Sequence, residues 1–284
     1  MEQSLEYKPS FVGRFARVLI PFLQRCLPPS VYRFVYDTLY SSYNQFLKSS
    51  YTFKAFITSL SGNKVEKLKK SLTLKLLPYT MGGSKALENA FDVTALIEQR
   101  KLQGAIVECG VAEGGTAAMM ALTSQTLGSI KRLKWFFDSY EGLPEPTAED
   151  YEGGKTGHFI RPLPKGSCLG TIEQVSDLMF NKLGFTKDEV FLVKGWFQDT
   201  VPVYRDKVGP IAVLRLDGDW YESTKIPLDN FYDLIVPGGA VIVDDYATCF
   251  GSRRAVDEFR LSRDIKSPLN PDGRGGVWFE KPLG

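Results

Sequence analysis

Histidine is almost missing from these 284 residues: His158 is the only one. Cysteine is scarce as well. Cys26, Cys109, Cys168 and Cys249 stand far apart, with no C-x-x-C pair and no Cys/His spacing of the kind that holds zinc. That excludes a zinc module and a disulfide scaffold, and free thiols in a reducing cytosol are expected. No run of 18 apolar residues occurs, so no membrane-spanning helix is expected. The opening "MEQSLEYKPSFVGRF" lacks a charged stretch followed by a long apolar one, so no signal peptide is expected. Internal repeats and low-complexity tracts are absent too. What remains is 43% hydrophobic and 24% charged, an ordinary soluble composition, long enough for one large α/β domain with an appendage.

The net charge of +2 hides an uneven distribution. Residues 1–75 hold 12 Lys and Arg against four acids, about +8, which leaves about −6 for the rest. This front is helical by pattern. Phe11, Phe15, Val18, Leu19 and Phe22 fall at helical spacing with Arg14 and Arg17 on the other side, until Pro21 and "LPPS" break the segment near residue 28. A tyrosine-rich helical stretch follows, then a turn at "SGNK". Packing against the main domain or a second subunit is the first expectation for residues 1–75, and contact with a membrane surface the second. Nucleic acid is not expected, because the remainder is acidic and carries no such motif.

From about residue 85 helix and strand alternate. Strands are expected at "GAIVECG", "LKWFFDSY", "EVFLVKG", "PIAVLRLDGD", "GAVIVDDY" and "GGVWFEK". Between them lie helices at "GTAAMMALTSQTL", at "TIEQVSDLMFNKLGF" with a Thr171–Gln174 capping box, at "STKIPLDNFYDLIVPGG" ending at Pro237-Gly238, and at "RRAVDEFRLS". Such alternation predicts a mostly parallel sheet covered by helices on both faces.

In such sheets ligands gather beyond the carboxyl ends of the strands. The first strand exits into "VECGVAEGGTAA", where Gly110, Gly114 and Gly115 permit a tight turn beside a helix start. Asp138 follows Gly115 by 23 residues, near the distance at which an acid meets a ribose diol. The spacing is G-x-x-x-G-G, and Ala112 and Glu113 crowd the place where a pyrophosphate would sit. A nicotinamide oxidoreductase is therefore disfavoured. Glu108 suits a ligand with positive charge, and S-adenosylmethionine fits better: a sulfonium, an ammonium, a ribose and no phosphate.

Two other strands each end on a pair of acids, Asp217 with Asp219 and Asp244 with Asp245. Unpaired at one crevice they would repel, and some would take up protons. A hard divalent cation such as Mg²⁺ resolves this, with Asp217, Asp244 and Asp245 as the carboxylate face and positions left open for a substrate hydroxyl. Asp219 or Asp217 then serves as the base. The competing role is ordinary: these acids cap the next helix or pair with Arg215, Arg253 or Arg254.

These stretches together resemble class I S-adenosylmethionine-dependent methyltransferases, and most closely the macrocin O-methyltransferase (TylF-like) family. The resemblance rests on "YTMGGSKALENA", "VECGVAEGGTAAMMA", "FFDSYEGLPEP", "KGWFQDTVP", "LRLDGDWYESTK", "LIVPGGAVIVDDY", "RRAVDEFR" and "GGVWFEK", in order over about residues 79–281. It implies a Rossmann-like seven-stranded sheet whose last strand runs antiparallel, preceded here by a helical extension. It implies that Glu108, Gly110 and Gly114 face the methionine part of the donor, Asp138 the ribose, Gly195, Trp196 and Phe197 the adenine side, that Gly115, Thr116 and Ser139 also contact the donor, and that Tyr79, Thr80 and Met81 fold over it. It implies Asp217, Asp244 and Asp245 as Mg²⁺ ligands, with Asp217 also touching the donor. In that family N-terminal segments help build the active site and a dimer.

Between Asp138 and Thr171 the chain departs from the family. "EPTAEDYEGGKTGHFIRPLPKGSCLG" is polar, long and rich in Gly and Pro, and about residues 141–170 are expected to form a lid over the acceptor. His158 lies in it and is a candidate acceptor contact or base. The expected reaction is Mg²⁺-dependent methyl transfer to a hydroxyl of a sugar or glycosylated small molecule, by a cytoplasmic homodimer with residues 1–75 as extension and 76–284 as the catalytic domain. A catechol-like phenol is the second acceptor class, and a non-catalytic scaffold docked through its front is the contrary reading.

Overall fold

The computed structural model describes residues 5, 9, 11–159 and 163–283, with backbone alone at residues 11, 37, 40, 44 and 61. Three helices come first: α1 (Phe11–Cys26), α2 (Pro29–Ser61) and α3 (Lys64–Leu76). Pro21 lies inside α1, which runs on to Cys26 and stops before Pro28. The break therefore belongs to "LPPS" alone. The "SGNK" turn separates α2 from α3, and Asn63 caps α3 by accepting from the Glu66 amide at 2.8 Å. Among the described residues no helix is long and apolar enough to cross a membrane.

The α/β part alternates as the pattern requires. After α4 (Gly83–Gln99) come β1 (Ala105–Cys109), α5 (Gly115–Leu127), β2 (Lys134–Asp138), α6 (Ile172–Ser176, widening to a π-turn over Asp177–Lys182), β3 (Val190–Lys194), α7 (Phe197–Val208), β4 (Ile211–Leu216), α8 (Tyr221–Phe231), β5 (Ile235–Val243), α9 (Phe250–Ser262), β6 (Asn270–Pro271) and β7 (Val277–Glu280). The strands form one sheet in the order β3-β2-β1-β4-β5-β7-β6. Only β7 runs antiparallel to its neighbours. This is the Rossmann-like class I methyltransferase arrangement, and its two-residue β6 is too short to be read from periodicity.

Every side chain of β1 and β4 is buried, as expected of central parallel strands covered on both faces. On one face α4 and α5 bring Leu87, Phe91, Met119 and Met120 against Ile106, Phe136 and Val213. On the other α7, α8 and α9 bring Val201, Leu228, Phe231 and Phe259 against Val107, Phe137 and Leu214. Each fully buried side chain of this size contributes about 1.5–3 kcal/mol, so the sheet is the rigid frame for whatever stands at its carboxyl rim. One boundary differs from expectation. The helix before Pro237-Gly238 ends at Phe231, and "VPGG" lies within β5. Ile235 pairs with Ile211 and Ala240 with Val213, so the extra residues are absorbed as an irregularity in the β4–β5 ladder. A buried pairing partner for Ile235 outweighs the breaker signal of Pro and Gly.

Candidate active site

The carboxyl ends of β1, β2, β4 and β5 open into one cavity of about 630 Å³. Its floor is the turn after β1. Gly110 has φ +95°, and a Cβ there would lie 1.8 Å from the Asp217 carbonyl oxygen, so only glycine lets the β1 and β4 exits run side by side. A Cβ on Gly115 would meet the Tyr79 carbonyl at 2.5 Å, so the same bareness lets the 79–81 loop close over the start of α5. Tyr79, Thr80, Met81, Gly110, Gly115, Thr116, Asp138, Ser139, Trp196 and Phe197 all line the cavity. Gly114 and Gly195 shape the backbone without reaching its wall.

Asp138 works on the turn itself. Its Oδ2 accepts from the amides of Val111 and Ala112 at 2.7 and 2.9 Å, and Oδ1 from Tyr140 at 2.6 Å. Burial pushes its pKa up, against those three backbone donors. One acceptor position on Oδ1 remains for a ligand hydroxyl.

Glu108 corrects an expectation. It is fully buried and does not line the cavity. Its Oε1 accepts from Thr116 and from Arg215 Nη1, each at 2.6 Å, so that oxygen orients an arginine, while Oε2 is buried with no partner among the described residues. Burial raises its pKa to about 7 despite Arg215. Glu108 and Arg215 are direct partners across β1 and β4, which brings them to the same face of the sheet.

Arg215 is the hub of the acid cluster. Besides Glu108 it donates to Asp217 Oδ2 at 2.7 Å and to Asp244 Oδ1 at 2.5 Å. Burial opposes its charge, but Asp217 and Glu108 raise its pKa further. The ordinary role for these acids is thus realised in part. Arg253 instead pairs along α9 with Asp257 at 3.5 Å. A second arginine, Arg274, forms an ion pair with Asp244 Oδ2.

The expected metal trio is brought together. Asp217, Asp244 and Asp245 offer carboxylate oxygens within 4.8 Å of one another. Asp245 Oδ1 accepts from Thr248 at 3.2 Å, while its Oδ2 is buried with no partner. The Asp217 and Asp245 carboxyls stand close enough for their charges to oppose each other. Burial and the charges of Asp219 and Asp217 push Asp245 well up. Burial also pushes on Asp217, but the Arg215 charge and hydrogen bond hold it below the usual range. Asp219, at a left-handed φ of +61°, is buried on the cavity wall. Burial and then Asp217 raise it to about 7.

The 141–170 segment covers the other side. Leu143, Pro144, Thr147, Phe159, Leu163 and Cys168 face the cavity, and residues 160–162 lie outside the described ones. His158 does not face it. Its ring is exposed and packs edge-on against Phe250 at 5.0 Å, and its pKa is lowered by partial burial and then by Arg17. Phe159 lines the cavity beside it, whereas His158 stands off the wall where a base or acceptor contact was expected.

The chain as a whole has known counterparts. The family model of macrocin O-methyltransferase (TylF) matches residues 33–281. The chain belongs to the macrocin O-methyltransferase family. It is 34% identical over 72% of its length to 76% of the demethyldecarbamoylnovobiocin O-methyltransferase of Streptomyces niveus. It is 35% identical over 70% of its length to 75% of the 8-demethyl-8-(2,3-dimethoxy-alpha-L-rhamnosyl)-tetracenomycin-C 4'-O-methyltransferase of Streptomyces olivaceus. Among solved structures the O-methyltransferase NovP superposes with a TM-score of 0.63 at 33% identity, covering 72% of this chain and 82% of that one. As a macrocin O-methyltransferase family member the chain is an enzyme that transfers methyl groups, on a fold that uses S-adenosylmethionine, and the scaffold reading falls.

For this family member, two wall residues carry little signal in the sequence. Arg274 sits in a glycine-rich loop with no chemical pattern of its own. Asp150 is fully buried in the covering segment and accepts from the Thr147 and Tyr221 amides at 2.8 and 2.6 Å. The T-x-x-D pattern of Thr147 and Asp150 is a capping box, and that spacing is the available signal.

Proposed function

We propose that the enzyme moves the methyl group of S-adenosylmethionine to a hydroxyl of a sugar-bearing small molecule, assisted by Mg²⁺ among Asp217, Asp244 and Asp245. The observation that carries this reading is that one cavity joins the Gly110–Thr116 turn and Asp138 to those carboxylates. The donor set fits a hard cation: oxygens only, close together, one of them on Asp245 buried and unsatisfied. When bound, Mg²⁺ would orient the acceptor hydroxyl and stabilise negative charge developing on its oxygen. The S. olivaceus relative, whose name specifies a rhamnosyl-bearing acceptor, favours a sugar over a phenol.

The chain's own residues do the rest. Tyr79, Thr80 and Met81 hold the donor from one side, Trp196 and Phe197 from another, and Asp138 takes a ribose hydroxyl. Asp219 takes the acceptor's proton as the oxygen–methyl bond forms and the sulfur–methyl bond breaks. Asp217 is the poorer base, since Arg215 holds its charge in place. The 141–170 segment covers the acceptor and sets its shape. Catalysis is then mostly alignment, which lets the oxygen meet the methyl carbon in line. The deciding experiment offers labelled donor with a panel of glycosylated and phenolic acceptors, with and without chelator. Label on a sugar hydroxyl, lost in chelator and restored by Mg²⁺, is the expected result. Turnover indifferent to chelator removes the metal, and labelling of phenols alone moves the acceptor to the second class.

We also infer that α2 joins two copies of the chain. From Tyr32 through Tyr36, Leu39, Tyr43, Phe46, Ser50, Phe53 and Ile57 to Leu60 the spacing alternates between four and three residues. That 3.5-residue period suits a supercoiled helical partner; against a flat lipid surface it would drift by about 20° per heptad. Tyr51 and Ala55 face inward, leaving Phe46, Phe53 and Leu60 exposed at 68, 66 and 67%. Tyr32 is itself buried and in ring contact with Tyr36, so the exposed part of the seam runs from Leu39 to Leu60 and offers on the order of 700 Å² per protomer, close to the ~800 Å² each partner gives to a standard interface. Arg33 and Lys54 are the charges flanking it, too few to oppose self-pairing.

A further inference from the structure

Asp244 has both of its oxygens engaged by arginines, and the two arginines differ in kind. Arg215 on Oδ1 is only 1% exposed and bound to Glu108 and Asp217 as well, so it cannot leave without stranding the buried Glu108 and Asp244 and the partly exposed Asp217. Arg274 on Oδ2 has a side chain 27% exposed, lines the cavity and stands in the loop between β6 and β7. That loop is held chiefly by contacts to its main chain, with Arg274 Nε 3.9 Å from Asp272 Oδ2. Asp272 Oδ1 accepts from the amides of Arg274, Gly275 and Gly276 at 2.7, 2.9 and 2.9 Å, and Lys85 donates to the Gly273 carbonyl at 2.8 Å. The guanidinium is therefore a cation on a fixed base, resting on one of the oxygens that a metal ion would need.

We propose that Arg274 is a displaceable stand-in for the divalent ion, holding Asp244 Oδ2 when the ion is absent and giving it up when the ion is held. This rests on the Mg²⁺ reading of the acid cluster. The chemistry is a competition between two cations for one carboxylate oxygen. With Arg274 in place the carboxylates of Asp217, Asp244 and Asp245 share two guanidinium charges, so the cluster stays assembled without metal. The ion must replace the Arg274 contact as well as shed water, so its apparent affinity is lowered by the strength of that contact. A purely structural arginine would act the other way: its loss would let the carboxylates repel and spread, and metal binding would weaken.

The sign of the effect on binding separates these. Mn²⁺ is titrated into the metal-free full-length protein, free of donor and acceptor, and bound ion is read by electron paramagnetic resonance. Wild type, Arg274→Gln and Arg274→Met are compared after circular dichroism shows equal fold, with Arg274→Lys as the variant that keeps the charge. The two neutral variants are expected to bind Mn²⁺ about tenfold more tightly than wild type, in line with the coupling of a close charge pair. Arg274→Lys should stay nearer to wild type, and Asp245→Asn added to Arg274→Gln should abolish the gain. Binding by the neutral variants where wild type shows none supports the proposal most strongly. Equal or weaker binding by the neutral variants overturns it while leaving the metal site intact. No Mn²⁺ bound by any of them overturns the metal reading and the proposal together.

Discussion

Asp219 is asked to carry a charge in a place where charge is costly. An unfolded aspartate titrates near ~3.9, whereas burial and the neighbouring Asp217 raise Asp219 to about 7. Between those values the unfolded chain loses the proton first. The contribution of this carboxyl to stability is therefore whole below about pH 4 and is lost as pH rises through about 7. Asp219→Asn removes the charge altogether. In metal-free protein it is expected to raise stability at pH 8 by about 2–4 kcal/mol, since each tenfold change in proton affinity between the folded and unfolded chain is worth roughly 1.4 kcal/mol. The gain at pH 5 should be smaller, and turnover should be lost. Thermal melts at the two pH values measure this. Equal melting temperatures at pH 8 would mean that the ionised carboxylate rests there at no cost. Single residues of the site are legible unevenly. The acids announce themselves because they end apolar runs, and the left-handed φ of Asp219 agrees with the turn that "DGD" indicates. Glu108 sits in the same kind of run yet faces inward. Only the register of β1 on β4 shows that its partner is Arg215.

At the scale of elements, the hydrophobic pattern locates most helices and strands but misleads where tertiary pairing decides. "VPGG" is strand because Ile235 finds Ile211. Helix α7 is hard to see in the pattern: its Pro202 and mixed polarity hide an amphipathic face that buries Phe197, Val201 and Val208. The heptad in α2 is in plain view but has meaning only once Tyr51 and Ala55 show which face is already occupied. Phe46→Glu with Phe53→Glu is expected to convert a dimer to a folded monomer in light-scattering chromatography; a wild-type protein that is already monomeric removes the seam's role. The covering segment hangs on Asp150, which satisfies the first amide of α8 from 71 residues away in sequence. Asp150→Ala should cost about 2 kcal/mol for its charge-assisted bonds and raise KM for the acceptor more than it lowers kcat. Denaturant melts and steady-state kinetics read the two effects, and an unchanged KM would separate this anchor from acceptor binding.

At the scale of the whole molecule, the architecture is the most legible feature, because alternating strands and helices with right-handed crossovers leave few arrangements open. The basic front and acidic remainder are legible as sums, but sums do not say which faces meet. Contacts between distant segments are not legible at all, and one of them has a consequence for how such enzymes diversify. The covering segment is stitched by main chain to the stretch that follows Asp244. His158 donates its amide to the Thr248 carbonyl at 2.8 Å, Phe250 donates to Thr156 at 3.1 Å, and Gly157 bridges Cys249. Residues 245–250 thus serve the roof and the reacting centre at once. A roof transplanted from a relative to change the molecule being modified would arrive without its matching seam, and would tug on Asp245. Exchange of specificity in this scaffold should succeed when both stretches travel together, as one inherited cassette.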